Sequence, residues 1–419
     1  MKKGESRSEL MKRNSRSLIM YSVSKGSRVT RAQIIKETGL SRAHACGVVD
    51  ELIAEGELIE TGSVSAGRGR PTIILEVNHN NVTAGGVWLA EDFIEVGIAR
   101  ATGEILARQT LPYSGNPSDD IDAIADAISA CAGQAGRPME TLRGIGVVVG
   151  GLVNPALGLI CITTHDHGFV GVPIAKLLSE KTGIPVYADT DIRAAAVAHQ
   201  WHNAKSERVL YVQFGDGVGA AFVVGGEVFG GAHGAAPLLG YTPIGLQDGG
   251  FLEPHVSNFA LVESLWPDVV AEHLPANQLR DMVGQGLDLV ARGDHAAVAA
   301  ITTIAEYMGL GVAVGISMLD PQKVFITGTL IDSFPDMMVD IIRRSAMPRI
   351  DHLFRGVDIQ PLVGWREFEF RGAFGLVLFN GFRAINRDMN AKMITPWSSD
   401  DGLGADDRYA SVAARGISQ

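Results

Sequence analysis

Apolar residues recur with different periods along this chain, and the change of period divides it. Leu18, Ile19 and Val23 share one side of the stretch 15–24, which predicts an amphipathic helix closed by the break Lys25-Gly26-Ser27. Thr30 is placed to cap a second helix over 31–37 with Ile34 and Ile35 inward, and Gly39 to supply the left-handed residue that ends it. Ser41 is the cap of a third, whose Ala45, Val48, Val49, Leu52 and Ile53 repeat at helical spacing up to Gly56. Two β-rich runs follow, Leu58-Ile59-Glu60 and Thr72-Ile73-Ile74-Leu75, flanking a loop that holds Gly67-Arg68-Gly69-Arg70-Pro71. Three short helices with a tight turn, then two strands and a loop, predict a winged helix-turn-helix over residues 1–78.

Beyond His79 the pattern becomes that of an α/β protein. Short apolar segments at 84–90, 93–99 and 105–111 predict strands, with a helix at 119–135 between them and the continuous apolar run 144–149. Such a run suits a strand covered on both faces. The theme repeats at 209–214, the glycine-rich turn 215–219, a strand at 220–224 and another at 323–327 ending in Gly328. Two similar α/β lobes with a cleft between them follow, at 79–200 (completed by about 370–390) and 201–369, the second expected to carry a dimerisation surface. Residues 391–419 are rich in Ser, Asp, Gly and Ala without periodicity, which predicts a mobile tail.

Composition narrows the function. With 46% hydrophobic and 20% charged residues in 419, disorder and fibrous classes are excluded. The three cysteines lie far apart, so neither a disulfide frame nor a zinc knuckle is expected. The apolar run 308–319 is short for a membrane span and MKKGESRSEL lacks a signal-peptide core, so a cytoplasmic protein without a membrane partner is expected. Charge is uneven: residues 1–78 hold 13 Lys and Arg against 9 Asp and Glu, leaving 23 against 38 for the remainder. A basic head on an acidic body fits a polyanionic partner for the head alone. Recognition helices enter the major groove by their N-terminal side chains, here Ser41, Arg42, His44 and Ala45, with Arg42 the base reader, Arg31 beside them, and Arg68 and Arg70 on the wing for the minor groove or phosphates. A helical trio can also serve protein contacts; cap, turn glycine and basic wing together favour double-stranded DNA.

At this point the residues resemble a family. The Gly-Arg-Gly-Arg-Pro wing, Gly150-Gly151-Leu152-Val153 with Gly158, Thr190-Asp191-Ile192-Arg193-Ala194-Ala195-Ala196, Gly215 to Gly219, the loop from Gly231 to Gly240, and Arg371-Gly372-Ala373-Phe374-Gly375 follow one another as in regulators of the ROK family. The resemblance spans nearly the whole chain. It implies an N-terminal winged helix-turn-helix followed by a two-lobed actin/hexokinase-like ATPase-fold body. Departures are equally informative. Kinases of the family open with an Asp-x-Gly-x-Thr phosphate loop, where this chain has Trp88-Leu89-Ala90-Glu91-Asp92, and their Gly-Thr-Gly loop is here Gly215-Asp216-Gly217, a carboxylate expected to repel ATP. Asp191 matches the kinases' base, but with no phosphate donor held it is a remnant, and no catalytic residue is expected. The family's zinc cysteines fall in the stretch 244–251, which has none, and its histidine is Tyr241, so neither zinc nor another cofactor is expected. The remaining histidines, among them His199, His202, His233 and His255, could in principle bind another metal but suit hydrogen bonding better.

The resemblance also implies a sugar cleft. Asp191 and Glu253 match family positions, while the asparagine is Thr190, the loop glutamate Leu238 and the histidine Tyr241. Lost partners for buried hydroxyls imply an effector other than the family's standard hexoses. Candidate effector residues are His165, Asp166, His167, Thr190, Asp191, Arg193, Tyr241 and Glu253; the alternative is a vestigial pocket in which Asp191 only caps a helix. The expected protein is a repressor of carbohydrate metabolism or transport genes, binding an operator as a homodimer or dimer of dimers and sensing a carbohydrate-like effector. The competing reading is a sugar kinase with an accessory head.

Overall fold

The structure is a computed structural model, and it describes residues 7–25, 29–64, 72–165, 168–203, 208–231, 234–245, 250–350, 352–354 and 356–382. The wing arginines Arg68 and Arg70, the pair Asp166 and His167, and the expected tail at 391–419 lie outside these.

The head begins with α1 (Arg7–Lys25), longer than the apolar pattern predicts. The added turns, 7–14, carry only Leu10 and Met11 as apolar residues and so escape the pattern; within the predicted stretch, Ser15, Ser17 and Ser22 take buried positions that the pattern reads as polar, and Ser15 Oγ and Ser22 Oγ donate to Met11 O and Glu37 Oε2. A two-residue strand β1 (Val29–Thr30) precedes α2 (Arg31–Thr38). Thr30 Oγ1 accepts the Gln33 N–H, and Gly39 ends the helix at φ 68°. In α3 (Arg42–Ala54), Ser41 Oγ accepts the His44 N–H, and Ala45, Val48, Val49 and Leu52 are buried. Strands β2 (Leu58–Val64) and β3 (Thr72–Val77) pair antiparallel, with β1 on the other edge of β3. The head's core of Ile19, Met20, Val23, Ile34, Val48, Val49, Leu52, Leu58 and Leu75 is continuous with Val82, Ala101 and Leu378 of the body.

The first lobe is built on β4 (Thr83–Leu89), β5 (Ile94–Arg100), β6 (Ile105–Leu111), β7 (Ile145–Val149) and, after a small hairpin of β8 (Gly151–Asn154) and β9 (Leu159–Thr163), β10 (Val186–Thr190). The sheet order is β10-β7-β4-β5-β6, parallel across β10, β7 and β4 and antiparallel beyond. Helices α4 (Pro117–Gln134) and α5 (Ile174–Thr182) supply its first core. Next come α6 (Asp191–Asn203) and the second lobe: β11 (Arg208–Phe214), β12 (Val218–Val224), β13 (Glu227–Phe229), α7 (Asn258–Leu265), α8 (Ala276–Ala291), α9 (His295–Leu319), β14 (Lys323–Gly328), α10 (Thr329–Ser333), α11 (Pro335–Ala346) and β15 (Asp358–Pro361), in the sheet order β13-β12-β11-β14-β15. Strand β12 starts two residues earlier than the expected 220, because Gly219 pairs with Gln213 and leaves room for Ile192, 3.1 Å from where its Cβ would be. By length and composition α9 resembles a membrane span; here Ile301, Ile304, Ala305, Met308, Val312 and Ile316 bury it in the second core.

The chain then returns as α12 (Trp365–Phe382), which packs on β4, β7 and α6. Glycines make that contact possible. A Cβ on Gly146 would fall 1.8 Å from Ala373 O, and one on Gly372 would fall 2.7 Å from Ala195 N. Sheet, α12 and α6 therefore lie nearly backbone to backbone.

Candidate effector cleft and nucleic-acid interface

The cleft forms where β10 runs into α6. Asp191 is the first residue of that helix, and its Oδ1 accepts the Ile192 N–H at 2.6 Å. Burial, then the charges of Glu91 and Asp189, push its carboxyl up to about 7. On α12, Glu369 is also pushed well above the carboxylate range, by burial and then by Asp191 and Glu91; its Oε1 accepts from Gln213 Nε2 at 2.6 Å. Opposite stands Glu253, whose Oε2 accepts the Val218 N–H at 2.7 Å and whose pKa rises through burial.

Glycine opens the space between these carboxylates. A Cβ on Gly150 would sit 3.0 Å from Thr164 Oγ1 and 3.4 Å from Asp191 Oδ2; one on Gly217 would sit 3.5 Å from Glu253 Oε2 and 3.6 Å from Thr164 Cγ2. Asp191, Thr164 and Glu253 thus face a common glycine-lined region. Thr190 is buried, and its hydroxyl finds no hydrogen-bond partner among the described residues. Tyr241 stands edge-on to Phe251 at 5.7 Å, with its phenol pKa raised by burial and then by Glu253. Hydroxyls and carboxylates in this arrangement offer both donors and acceptors to a polyhydroxyl ligand.

At the other end of the cleft the protein binds itself. His165 Nε2 meets Asp216 Oδ2 at 2.9 Å, and Asn258 Nδ2 donates to Asp216 Oδ1 at 2.6 Å and to Thr329 Oγ1 at 3.1 Å. Burial raises the Asp216 carboxyl, but the bonds from His165 and Asn258 outweigh it and leave its pKa below the usual value. In the turn between β4 and β5, Asp92 is clasped by both terminal nitrogens of Arg280 at 2.8 and 3.0 Å, and Arg366 approaches Glu91 at 3.4 Å. Both turns therefore carry paired carboxylates. The Trp88 indole lies in the core against Phe93, with Phe370 and Phe374 in the same cluster, and Glu91 is the carboxylate whose charge acts on Asp191.

The structure distributes the remaining candidates unevenly. Arg193 Nε pairs with Asp189 at 2.8 Å while Nη1 donates to Phe229 O and Ala236 O at 3.3 Å, so this guanidinium ties the loop after β13 to α6. Leu238 is exposed. On the head, Arg42 is exposed at the first turn of α3, and Ser41 is exposed with its hydroxyl engaged as the cap. His44 Nε2 meets Ser15 Oγ at 2.8 Å, and Arg31 pairs with Asp50 at 2.8 Å and Glu60 at 3.6 Å. Ala45 is a correction: at 1% exposure it belongs to the head's core and cannot meet a base edge. Helical spacing put it there already, since it stands three residues before Val48. Sequence reasoning missed Thr164, Gln213 and Glu369. Nothing local marks them; Glu369 reaches the cleft only because α12 returns across the first lobe. Among the described residues no three His, Cys, Asp or Glu side chains group so as to hold a metal ion.

Two sheets with α6 and α12 between them, and a carboxylate where a parallel strand enters a helix, define a two-lobed body of the actin/hexokinase type bearing a helical head with a small sheet. The chain belongs to the ROK family: the family's model matches residues 84–378. The xylose repressor of Caldicellulosiruptor bescii is 25% identical over 80% of this chain and 87% of its own length. The N-acetylglucosamine repressor of Escherichia coli O157:H7 is 23% identical over 73% of this chain and 78% of its own. Among solved structures, a ROK family transcriptional regulator described as a homologue of the E. coli MLC protein superposes with a TM-score of 0.71 at 20% identity, covering 90% of this chain and 98% of that one. That coverage exceeds what residues 84–419 supply, so the likeness in fold reaches into the head.

Proposed function

We infer that this chain is a sugar-responsive transcriptional repressor and not a sugar kinase. The observation that carries the reading is the nucleotide end of the cleft: Asp216 is held by His165 and Asn258 where a kinase needs a turn open to phosphate, on a body joined to a head whose α3 presents Arg42 to solvent. The kinship to a xylose repressor and an N-acetylglucosamine repressor supports it. In this reading residues 1–78 bind the operator, 79–200 and 201–369 form the lobes that enclose the effector, and the protein acts in the cytoplasm. Ser41, Arg42 and His44 with Arg31, Arg68 and Arg70 face DNA; Thr190, Asp191, Tyr241 and Glu253, joined by Thr164 and Glu369, face the effector, with His165, Asp166, His167 and Arg193 around them. Paired half-sites imply a homodimer or a dimer of dimers.

The test is fluorescence anisotropy of the full chain on duplexes tiling the DNA upstream of its own gene, at two salt concentrations, with a panel of pentoses, N-acetylated hexoses and sugar acids. One duplex bound well above the others, weakened by salt and by Arg42→Ala and shifted by one sugar, supports the repressor. Asp191 at the family's base position favours the kinase as a second reading. ATP turnover with any sugar of the panel, abolished by Asp191→Asn, would establish that one instead.

A further inference from the structure

The head touches both lobes. On the first-lobe side, Glu57 after α3 pairs with Arg16 of α1 and with Arg143 just before β7. Asn81 Nδ2 donates to Glu55 O and Gly56 O at 3.3 Å, and is itself held by Arg137 Nη1 at 3.1 Å. Val82 and Ala101 complete the head's core from the same lobe, and Leu378 from α12. This side is a polar clasp over an apolar seam. On the other side, the Tyr21 hydroxyl of α1 donates to Glu227 Oε1 at 3.3 Å. Glu227 opens β13, the edge strand of the second lobe's sheet, and pairs with Val224 across the β12–β13 turn. That strand is linked in turn to the cleft: β12 begins at Val218, whose N–H holds Glu253, and Arg193 grips Phe229 O at the end of β13.

We propose that the Tyr21–Glu227 contact couples the angle between the lobes to the position of the DNA-binding head. The clasp and seam hinge the head on the first lobe, and the Tyr21–Glu227 bond is a second point that sets its angle when the cleft opens or closes. The second lobe moves relative to the first, and Glu227 is then displaced from the Tyr21 hydroxyl. A hydrogen bond has a narrow working range, so a shift of about 1 Å at this point makes or breaks it. Cleft state and head orientation thereby share a free energy, and sharing is reciprocal: DNA on the head must alter the β12–β13 turn as surely as a cleft ligand alters the head. The proposal rests on the repressor reading above.

Reciprocity allows a test that needs no known effector. Hydrogen exchange is followed in the full-length wild type, Tyr21→Phe and Glu227→Ala, each free and with the tightest-binding duplex from the upstream tiling. In the wild type the duplex protects α3 and changes exchange at 222–229 by about fivefold, the factor one net hydrogen bond is worth. In both variants α3 stays protected while the change at 222–229 disappears. Tyr21→Phe keeps the ring and Glu227 lies on an edge strand, so neither change empties a core. An unaltered response at 222–229 in the variants, or none in the wild type despite a protected α3, overturns the coupling alone. An α3 left unprotected in the wild type overturns the repressor reading, and the coupling with it.

Discussion

Asp191→Asn separates the structural from the functional meaning of the cleft carboxylate. The free protein pays to keep Asp191 charged: its pKa is raised from 3.8 to about 7, chiefly by burial. A shift of about 3 units corresponds to about 4 kcal/mol, a ceiling because Glu369 shares the same field. A carboxyl whose folded pKa is raised is favourable to the fold only while protonated. The cost is therefore absent below the unfolded value, grows as pH rises through the window from 3.8 to about 7, and is complete above it. Asparagine keeps the oxygen that accepts the Ile192 N–H and removes the charge. The variant should thus be more stable than the wild type at pH 8, by an amount that shrinks by about 2–3 kcal/mol on going to pH 5. Urea unfolding of both proteins at the two pH values reads this directly. An offset that does not change with pH, or a variant less stable at pH 8, would refute the argument. The same variant should lose its sugar response while keeping DNA affinity, which would make Asp191 a residue retained at the expense of stability.

Three further outcomes follow from the geometry. Asp216→Ala removes the carboxylate that bonds His165 and accepts from Asn258 and should cost about 1–3 kcal/mol by urea unfolding at pH 7, without creating ATP turnover. Because the Asp216 pKa is depressed, its contribution is present above the ordinary carboxylate range and is lost as pH falls through its folded value, so the variant's deficit should narrow in acid. Gly146→Ala sets a methyl 1.8 Å from Ala373 O, backbone that cannot step aside; a loss of about 3 kcal/mol or more, or insoluble protein, is expected, and thermal unfolding within a degree of wild type would contradict the packing described. Ser41→Ala removes the cap on α3 and should lower the head's stability by about 1 kcal/mol, seen as faster exchange at 42–45.

The head was legible in detail because its elements carry local punctuation. Thr30, Gly39 and Ser41 each act at one position through their own side chain or backbone, and a single residue of the right kind suffices. What stayed hidden there was polar burial, as with Ser15, whose hydroxyl donates to Met11 O within its own helix, and Ser22, whose hydroxyl donates to Glu37. In the body, apolar runs mark the central parallel strands β7, β11 and β14, which are largely buried. Strands β8, β9, β10, β13 and β15, three to five residues each, were missed: they are short, and each is an edge strand or part of the small hairpin. The cleft was half legible: Asp191 stands at the end of its own strand, while Thr164, Gln213 and Glu369 arrive from separate elements. Arg193 reads as a ligand partner because its charge is visible in the sequence; in the structure it donates to Asp189 Oδ1, four residues before it, and to the main-chain Phe229 O and Ala236 O, which no side chain announces.

The charges of the cleft explain how a kinase-like body serves as a sensor. Phosphate-binding turns need open backbone N–H groups and net positive charge, and here both turns instead hold carboxylates clasped by Arg280, Arg366, His165 and Asn258. These bonds join groups from different parts of the chain, Asp92 with Arg280 and His165 with Asp216, so they hold the lobes together without a nucleotide. Deeper in the cleft, Asp191 raises the pKa of Glu369, and Glu91 raises both. An enzyme would use such a base on a substrate hydroxyl. Here the two buried carboxyls leave the cleft able to gain from any ligand whose hydroxyls donate to them. A ligand of that kind would stabilise whichever lobe angle lets it reach Asp191 and Glu253 together. Differential affinity for one lobe angle is the whole requirement for a switch, and the bonds at the nucleotide end set the angle against which the ligand must compete.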